Sequence, residues 1–335
     1  MHKLFSHGQD ALGAKKNRGT VTCALTTAAI GAGLLLGMVH HAAAQNFPTK
    51  PVRIIVASGG SDTAARVLAP ELGKIWGQGV VVDIRSGASG LISLEGVKQA
   101  APDGYTLGLP TLSQMLSTLE HNRLLLASEF EGVTFVGSTP FAIAISPNVP
   151  AKSVEEFIAY AKARPGKLAY GSSGLWASSH VCMEEFTSRA GLNMLHVPYK
   201  NSQSGMTALL GDEVQVYCSA AANSLALAKA GKITLLGSSY KEPSDLLPGI
   251  PPIANKLPGY EVQGWYGLVT TLGTPKNLVA RISADSVKAI NTREMQEAFA
   301  KLGIRPEGTT PEKFSAFLRD ESERWGRILR AAPKS

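Results

Sequence analysis

Two segments in the middle of the chain combine a short apolar strand with the small polar residues that typically begin a helix. They are LAYGSSG at 168–174 and HVPYK at 196–200, and another helix start lies between them at Ser178. The first backbone amides of a helix have no intrahelical partner and carry partial positive charge, so the N-terminus of a helix attracts anions. The pattern therefore predicts a site that holds an anion with amides and hydroxyls, without Arg or Lys.

A similar turn follows the first predicted strand, where two adjacent glycines lead into a helix. Glycine permits a tight turn and the close approach of a ligand, and Ser or Asp can cap a helix. This turn is predicted to form one wall of the site. Its candidate ligand contacts are Ser58, Gly59, Gly60, Ser61 and Asp62.

The two central segments are predicted to form the second wall. Their serine hydroxyls and backbone amides can bind a carboxylate or an ordered water. Trp176 has the alternative of packing on the surface, and Asn201 has the alternative of capping its own helix. The candidate ligand contacts here are Ser172, Ser173, Gly174, Trp176, Ser178, Asn201, Ser202 and Ser219.

Three further side chains have both a functional and a structural interpretation. Arg85 can pair with a ligand carboxylate through two hydrogen bonds, but an Arg in such a segment more often ties its own loop together. His180 and His196 lie near a helix start and a strand end. Histidines in these positions usually satisfy a neighbouring group, and the structural interpretation is favoured for both.

Catalytic and cofactor motifs are not found in the sequence after residue 44. It has no Gly-x-Ser-x-Gly elbow, no P-loop and no dinucleotide fingerprint. Its three histidines form no close pair with metal-ligand spacing. We therefore predict a protein that is not an enzyme, with no catalytic residues, no metal and no cofactor; a hydrolase is the least favoured class.

The N-terminus has the pattern of a cleavable secretory signal peptide. Four basic residues precede an uncharged stretch over 19–39, and Ala42-Ala43-Ala44 follows. Cleavage after Ala44 predicts a periplasmic protein of Gram-negative type, and a retained membrane anchor is the alternative. Without residues 1–44, the net charge falls from +7 to +4 and the basic residues are scattered, which argues against nucleic-acid binding.

Two cysteines remain after such cleavage. An oxidising compartment permits a disulfide between Cys182 and Cys218. Each residue lies in an apolar context, one early in a helix and one in a strand. Two buried free thiols are therefore the favoured prediction.

Short apolar runs alternate with segments of helical periodicity along the chain, which predicts an α/β architecture with parallel sheets. A helix is predicted to begin at Ser153, capped with Glu156, and the last helix to begin at Thr310-Pro311. With 44% hydrophobic residues over 335 positions, the chain can bury two cores. The predicted strands are 52–57, 80–84, 105–110, 141–146, 167–171, 194–199, 214–219 and 233–239.

Three more segments join the two central ones in a family resemblance. They are KPVRIIVA at 50–57, AAPDGYTL at 100–107 and WYGLVTTLGTPK at 265–276. From about Phe47 onwards the chain resembles the Bug family, the extracytoplasmic solute receptors of tripartite tricarboxylate transport systems.

The resemblance implies a type II periplasmic-binding-protein fold, in which two α/β lobes joined by two crossovers close on a ligand as a Venus flytrap does. One lobe would comprise 47–142 plus 265–335, and the other 143–264. The implied function is capture of a small organic anion, a mono- or dicarboxylate, by a monomer that delivers it to membrane permease subunits. A periplasmic sensor that presents its ligand to a signalling partner is the alternative, and neighbouring genes would discriminate the two.

The chain departs from the family pattern at several positions. The first turn is shorter, Trp176 and Ala177 stand where the family has Gly and Ser or Thr, and Gln215 and Ser219 stand where it has acids. We interpret these departures as altered specificity, toward a less charged or partly aromatic ligand.

Overall fold

The computed structural model describes residues 47–123 and 125–331. The predicted signal peptide lies outside these residues. Strands and helices alternate along most of the described chain. The strands are β1 (Val52–Val56), β2 (Val80–Ile84), β3 (Thr106–Gly108), β4 (Phe130–Ile145), β5 (Ala169–Ser172), β6 (Leu195–Pro198), β7 (Val216–Ala220), β8 (Thr234–Ser238), β9 (Gln263–Thr271) and β10 (Arg305–Pro306).

Helices alternate with these strands along the chain and pack against them. They are α1 (Gly60–Trp76), α2 (Leu91–Lys98), α3 (Leu112–Glu120), α4 (Leu126–Glu129), α5 (Val154–Lys162), α6 (Ser178–Ala190), α7 (Ser202–Leu210), α8 (Ala221–Lys229), α9 (Lys276–Ile290), α10 (Arg293–Lys301) and α11 (Pro311–Ala331).

The sheet is mixed, with the strand order β2-β1-β3-β9-β4-β7-β5-β6, and β8 and β10 also pair with β4. Strands β1, β2 and β3 are parallel to one another, as are β5, β6 and β7. Strands β4 and β9 run antiparallel to their neighbours. The α/β prediction is confirmed, but the expectation of parallel strands holds only for these two groups.

Strand β4 connects the two groups of parallel strands, because it pairs with β7 of one group and with β9, which pairs with β3 of the other. Its residues 130–140 pair with β9, and its residues 141–145 pair with β7 and β8. The sequence prediction found only the end of this strand, because the preceding FEGVTFVGSTP contains two glycines and a proline, which weaken a strand signal.

Two predicted helix starts are confirmed. The Ser153 side chain accepts a hydrogen bond from the amide of Glu156 and caps α5. Thr310 accepts from the amide of Lys313 at the start of α11. Helix α11 packs across β4 and buries Phe314, Leu318 and Trp325.

The prediction of two free thiols is wrong. Cys182 in α6 and Cys218 in β7 form a disulfide whose Cα atoms lie 6.2 Å apart, within the range that the bond requires. Both residues are fully buried. The apolar context predicted their burial correctly, but their pairing depends on how α6 packs onto β7. No helix in the described ranges has the length and apolar character to cross a membrane.

Candidate functional site

A cavity of about 470 Å³ opens where the strands of both groups end and their helices begin. Its walls come from the segments after β1, β2, β3, β5 and β6 and from the end of β7, and its floor comes from β4 and β9. Ligands of open α/β sheets bind at the carboxyl ends of the strands.

Six helices have their N-terminal ends at this cavity. Helices α1, α3, α6 and α7 begin at the lining residues Gly60, Leu112, Ser178 and Ser202. Helices α2 and α8 begin one residue after the lining residues Gly90 and Ala220. The partial positive ends of six helices therefore face one space.

Five of these helices have no side chain that caps their first amides. Their N-cap residues are Gly59, Gly90, Thr111, Ala177 and Ala220, and none of these accepts a capping hydrogen bond. Within the described part of the chain, the sixth helix at the cavity, α7, is the one with a side-chain cap, which Asn201 supplies. Unpaired amides at a helix start need a partner from water or a ligand.

Three of the five described helices that begin away from the cavity differ from this group. Ser153, Thr292 and Thr310 each accept a hydrogen bond from an amide in the first turn of α5, α10 and α11. The other two, α4 and α9, also begin without a side-chain cap. Uncapped helix starts are thus more frequent at the cavity than elsewhere in the described residues.

Among the residues that the structure describes, no side chain that lines the cavity carries a formal charge at neutral pH. Asp62 faces its own helix, where its carboxylate accepts from Nε of Arg66 at 2.7 Å. Arg85 binds the carboxylate of Asp83 with two nitrogens, at 2.9 and 3.1 Å. This arrangement supports the loop-tying interpretation of Arg85 and leaves amides and hydroxyls as the groups that can bind an anion.

Aromatic residues form the floor. Phe141 and Trp265 are buried, and Tyr266 is partly exposed to the cavity. The phenol oxygen of Tyr266 lies 2.9 Å from the position that a Cβ at residue 60 would take, so any side chain at the start of α1 would displace this hydroxyl. Burial raises the pKa of Tyr266, so its hydroxyl stays a neutral hydrogen-bond donor at the start of α1.

The second wall is a turn between β5 and α6, residues 172–179, which we call the serine turn. Inside it, the hydroxyl of Ser179 accepts from the amide of Ser173 at 2.9 Å and contacts the Ser173 hydroxyl at 3.0 Å. Ser173, Ser178 and Ser179 line the cavity. The hydroxyl of Ser178 also shares a hydrogen bond of 2.7 Å with Ser113 at the start of α3, which joins the two walls.

Two histidines lie beneath the serine turn. Nδ1 of His180 accepts from the amide of Trp176 at 3.0 Å, and Nε2 of His196 contacts the hydroxyl of Ser172 at 2.7 Å. The pKa of each imidazole is lowered to about 4, by burial in both cases and secondarily by His180 in the case of His196. Both rings are therefore neutral at pH 7 and serve the structural role favoured from the sequence.

The structure brings about half of the predicted contacts together. The lining residues among them are Ser58, Gly60, Ser61, Ser173, Ser178, Ser202 and Ser219. The predicted contacts that do not line the cavity are Gly59, Asp62, Ser172, Gly174, Trp176 and Asn201.

Several of the predicted contacts that do not line the cavity support its wall from behind. Ser172 binds His196, Asn201 caps α7, and Trp176 packs against the main apolar core and edge-on against His180. Gln215 likewise lies outside the cavity, since its side chain accepts from the amide of Ala169.

Sequence reasoning missed the contributions of the turns after β2 and β3 and of the floor. Both turns repeat the signal used elsewhere, a short apolar strand followed by small residues and a helix, in SGASG at 86–90 and LPTLS at 109–113. The floor residues carry no local signal. The missed lining residues include Gly87, Ser89, Gly90, Thr111, Leu112, Ser113, Gln114, Thr139, Phe141, Gly264, Trp265 and Tyr266.

Within the described residues, no group of three or more His, Cys, Asp or Glu side chains could hold a metal ion.

The sequence matches one family model and several curated proteins. The model of the tripartite tricarboxylate transporter family receptor matches residues 64–333. A UPF0065 protein from the gbd 5' region of Cupriavidus necator is 31% identical over 303 residues, which are 89% of this chain and 91% of that protein. Protein BugT of Bordetella pertussis is 29% identical, over 88% of this chain and 93% of BugT.

Solved structures agree with these matches. The periplasmic binding protein BugD is 27% identical with a TM-score of 0.70, and the alignment covers 85% of this chain and 98% of BugD. Rpa4515 of R. palustris, solved with adipate, is 28% identical with a TM-score of 0.72, over 85% of this chain and 97% of Rpa4515. A TctC solute-binding protein from Polaromonas, at 22% identity and a TM-score of 0.75 over 85% of this chain and all of that one, shares the fold.

Proposed function

Because the chain belongs to the family of tripartite tricarboxylate transporter receptors, with the fold of type II periplasmic binding proteins, we propose that its cavity captures a small organic carboxylate for a membrane transporter. A similar protein, Rpa4515, was solved with adipate. The proposal includes a mono- or dicarboxylate as ligand, permease subunits as partners and a monomeric receptor.

The observation that carries this proposal is the set of five uncapped helix N-termini around a cavity without charged side chains. One helix N-terminus stabilises a nearby anion by roughly 0.3–1 kcal/mol, and by up to about 2 kcal/mol when partly buried. Several termini acting on one ligand therefore favour an anion strongly. Because no side chain caps these helix starts, a ligand can bind their first amides, except for the Leu91 amide of α2, which donates to the carbonyl of Ala88.

We further propose that the two walls belong to separate lobes, 47–142 plus 265–335 and 143–264. The hydrogen bond between Ser113 and Ser178 would then join the lobes in a closed form. A carboxylate that binds amides from both walls has all its partners only in that form. The ligand shifts the equilibrium from the open to the closed form, to the extent that it binds the closed form more tightly than the open form.

Ser58 offers a test of the anion site. It lines the cavity in front of α1, and no hydrogen bond of its side chain is found within the described residues. Ser58→Asp places a fixed carboxylate at these amides, where it competes with the ligand and repels it. We expect the variant to bind adipate and related acids at least about tenfold more weakly by calorimetry, equivalent to about 1.4 kcal/mol.

Ser58→Asn is the matched control, because it has nearly the same shape and no charge. It should stay close to the unmodified protein in affinity, and circular dichroism should report folded protein for both variants. Equal carboxylate affinity of all three proteins would place the anion elsewhere. Failure of the unmodified protein to bind any carboxylate would refute the ligand class.

The alternative of a periplasmic sensor requires the same cavity. Permease genes next to this one favour transport, and a histidine kinase gene favours sensing. Export by a signal peptide over residues 1–44 is also part of the proposal, and N-terminal sequencing of the exported protein should begin at Gln45. Recovery of chemically unchanged ligand from the purified protein would support a receptor over an enzyme.

A further inference from the structure

A stacked pair of imidazoles lies directly beneath the serine turn. The ring centroids of His180 and His196 are 4.1 Å apart with an interplanar angle of 21°. His180 is only 4% exposed. His196 is half-buried, and neither ring lines the cavity.

The serine turn contains an unfavourable backbone conformation. Trp176 has a φ of 57°, in the left-handed region that bulky side chains rarely adopt. Its amide donates to Nδ1 of His180 at 3.0 Å, and its indole packs edge-on against the same imidazole at 5.1 Å. Such a conformation persists only where surrounding contacts impose it. His180 supplies two of these contacts.

We propose that His180 is a positioning residue of the ligand cavity, which holds the serine turn in its binding shape through a neutral imidazole that accepts at Nδ1. Two residues before it, Ser178 presents its hydroxyl to the cavity, and Ser173 and Ser179 complete the wall. The inference rests on the proposed function, because it concerns the same cavity and its ligand.

The hydrogen bond fixes the protonation state that the turn requires. An imidazole that accepts at Nδ1 carries its hydrogen on Nε2, whereas an imidazolium carries hydrogens on both nitrogens and cannot accept. Protonation of His180 therefore removes the acceptor of the Trp176 amide and releases the turn. His196 is more tolerant, because its partner is the hydroxyl of Ser172, which can donate or accept.

The groups that face His180 determine when this happens. Glu184 on the same helix lies 3.8 Å from Nε2, beyond a hydrogen bond, and its carboxylate accepts from the hydroxyl of Tyr170 on β5. His196 on β6 stacks on the ring, and a second positive charge there disfavours protonation. From β7, the disulfide-bonded Cys218 belongs to the same core as α6 and does not titrate. Burial lowers the pKa of His180 to about 4, so the serine turn keeps its shape at neutral pH.

Two substitutions separate the acceptor from the shape of the ring. The Oδ1 atom of Asn can occupy the position of Nδ1, accept from Trp176 and does not titrate, so His180→Asn should bind a carboxylate within about threefold of the unmodified protein. His180→Leu fills the space without an acceptor, and we expect it to bind at least about tenfold more weakly. Equal affinity of the Leu variant would overturn the inference.

The pH profile gives a readout that a purely structural role would not change. Protonation of the ligand at low pH weakens its binding to every variant equally. The quantity to follow is therefore the dissociation constant of the unmodified protein divided by that of His180→Asn, measured at each pH. The ratio should stay constant down to about pH 5.5 and roughly double by pH 4, where half of the His180 side chains are protonated. A ratio that is constant down to pH 4 would contradict the proposed release.

Nitrogen NMR of the unmodified protein tests the inference without any variant. We expect the His180 ring at pH 7 to be neutral, with hydrogen on Nε2 and a hydrogen-bonded Nδ1; hydrogen on Nδ1 would overturn the inference. If the unmodified protein binds no carboxylate, the proposed function fails, and this measurement still judges the role of His180. If the unmodified protein binds a carboxylate and His180→Leu binds it equally tightly, the inference about His180 fails while the proposed function stands.

Discussion

Reduction of the disulfide between Cys182 and Cys218 should lower the stability of the protein substantially. The bond closes a loop with a sequence separation of 36 residues. In the chain-entropy treatment, a loop of this length restricts the unfolded chain by an amount worth about 4 kcal/mol at 25 °C. We therefore expect the free energy of unfolding to fall by about that amount.

Urea unfolding followed by circular dichroism provides the measurement. The buried bond is first reduced in denaturant, and the protein is then refolded and titrated with reductant present. The oxidised protein is the reference, since it has the same side chains. Cys182→Ala/Cys218→Ala is the control, because its unfolding curve should not respond to reductant.

Reduction should also weaken ligand binding. Cys218 lines the cavity, and Cys182 lies one turn inside α6, whose first residue Ser178 is part of the serine turn. The bond therefore holds α6, which begins in the serine turn, to β7. A reduced protein that loses less than about 1 kcal/mol of stability and keeps its affinity would refute this reasoning.

Two further changes test packing and closure. Gly267→Ala should lower the free energy of unfolding in urea by about 2 kcal/mol, because the added Cβ would lie 2.0 Å from the ring of Phe314. The control Gly211→Ala should lower it little, since the nearest atom to its Cβ would be 3.5 Å away. Equal losses of stability in the two variants would mean that the Phe314 ring moves away freely. Ser113→Ala and Ser178→Ala should each weaken carboxylate binding, and the double variant should lose no more affinity than either single variant, which corresponds to a coupling energy of about 1 kcal/mol. Additive losses of affinity would mean that the hydroxyl pair does not join the walls in the bound form.

Local signals predicted the elements of the fold well and the cavity less well. Helix α5 follows from the cap at Ser153, and α11 from Thr310 and Pro311, because capping is decided within one turn of the chain. The wall residues Ser58 and Ser178 follow from a strand that ends before a helix begins.

Other site residues depend on tertiary contacts that no local pattern encodes. Phe141 reaches the floor because β4 continues from one group of strands into the other. Tyr266 reaches it because β9 inserts beside β4, which brings its hydroxyl against Gly60. The disulfide was missed for the same reason, since a helix and a strand separated by many residues meet only after folding.

The position of β9 has a consequence for the order in which the chain can fold. This strand lies between β3 and β4, and it pairs Thr270 with Leu107 and Thr271 with Phe130. Until it has been synthesised, β3 and the first part of β4 each present an unpaired edge, and such edges invite pairing with other chains. Pairings between residues so far apart in sequence are also slow to form. A nascent chain that ends before Gln263 therefore lacks the strand between β3 and β4. We expect such fragments to be aggregation-prone and sensitive to proteolysis, with compact folding delayed until about the final fifth of the polypeptide is available.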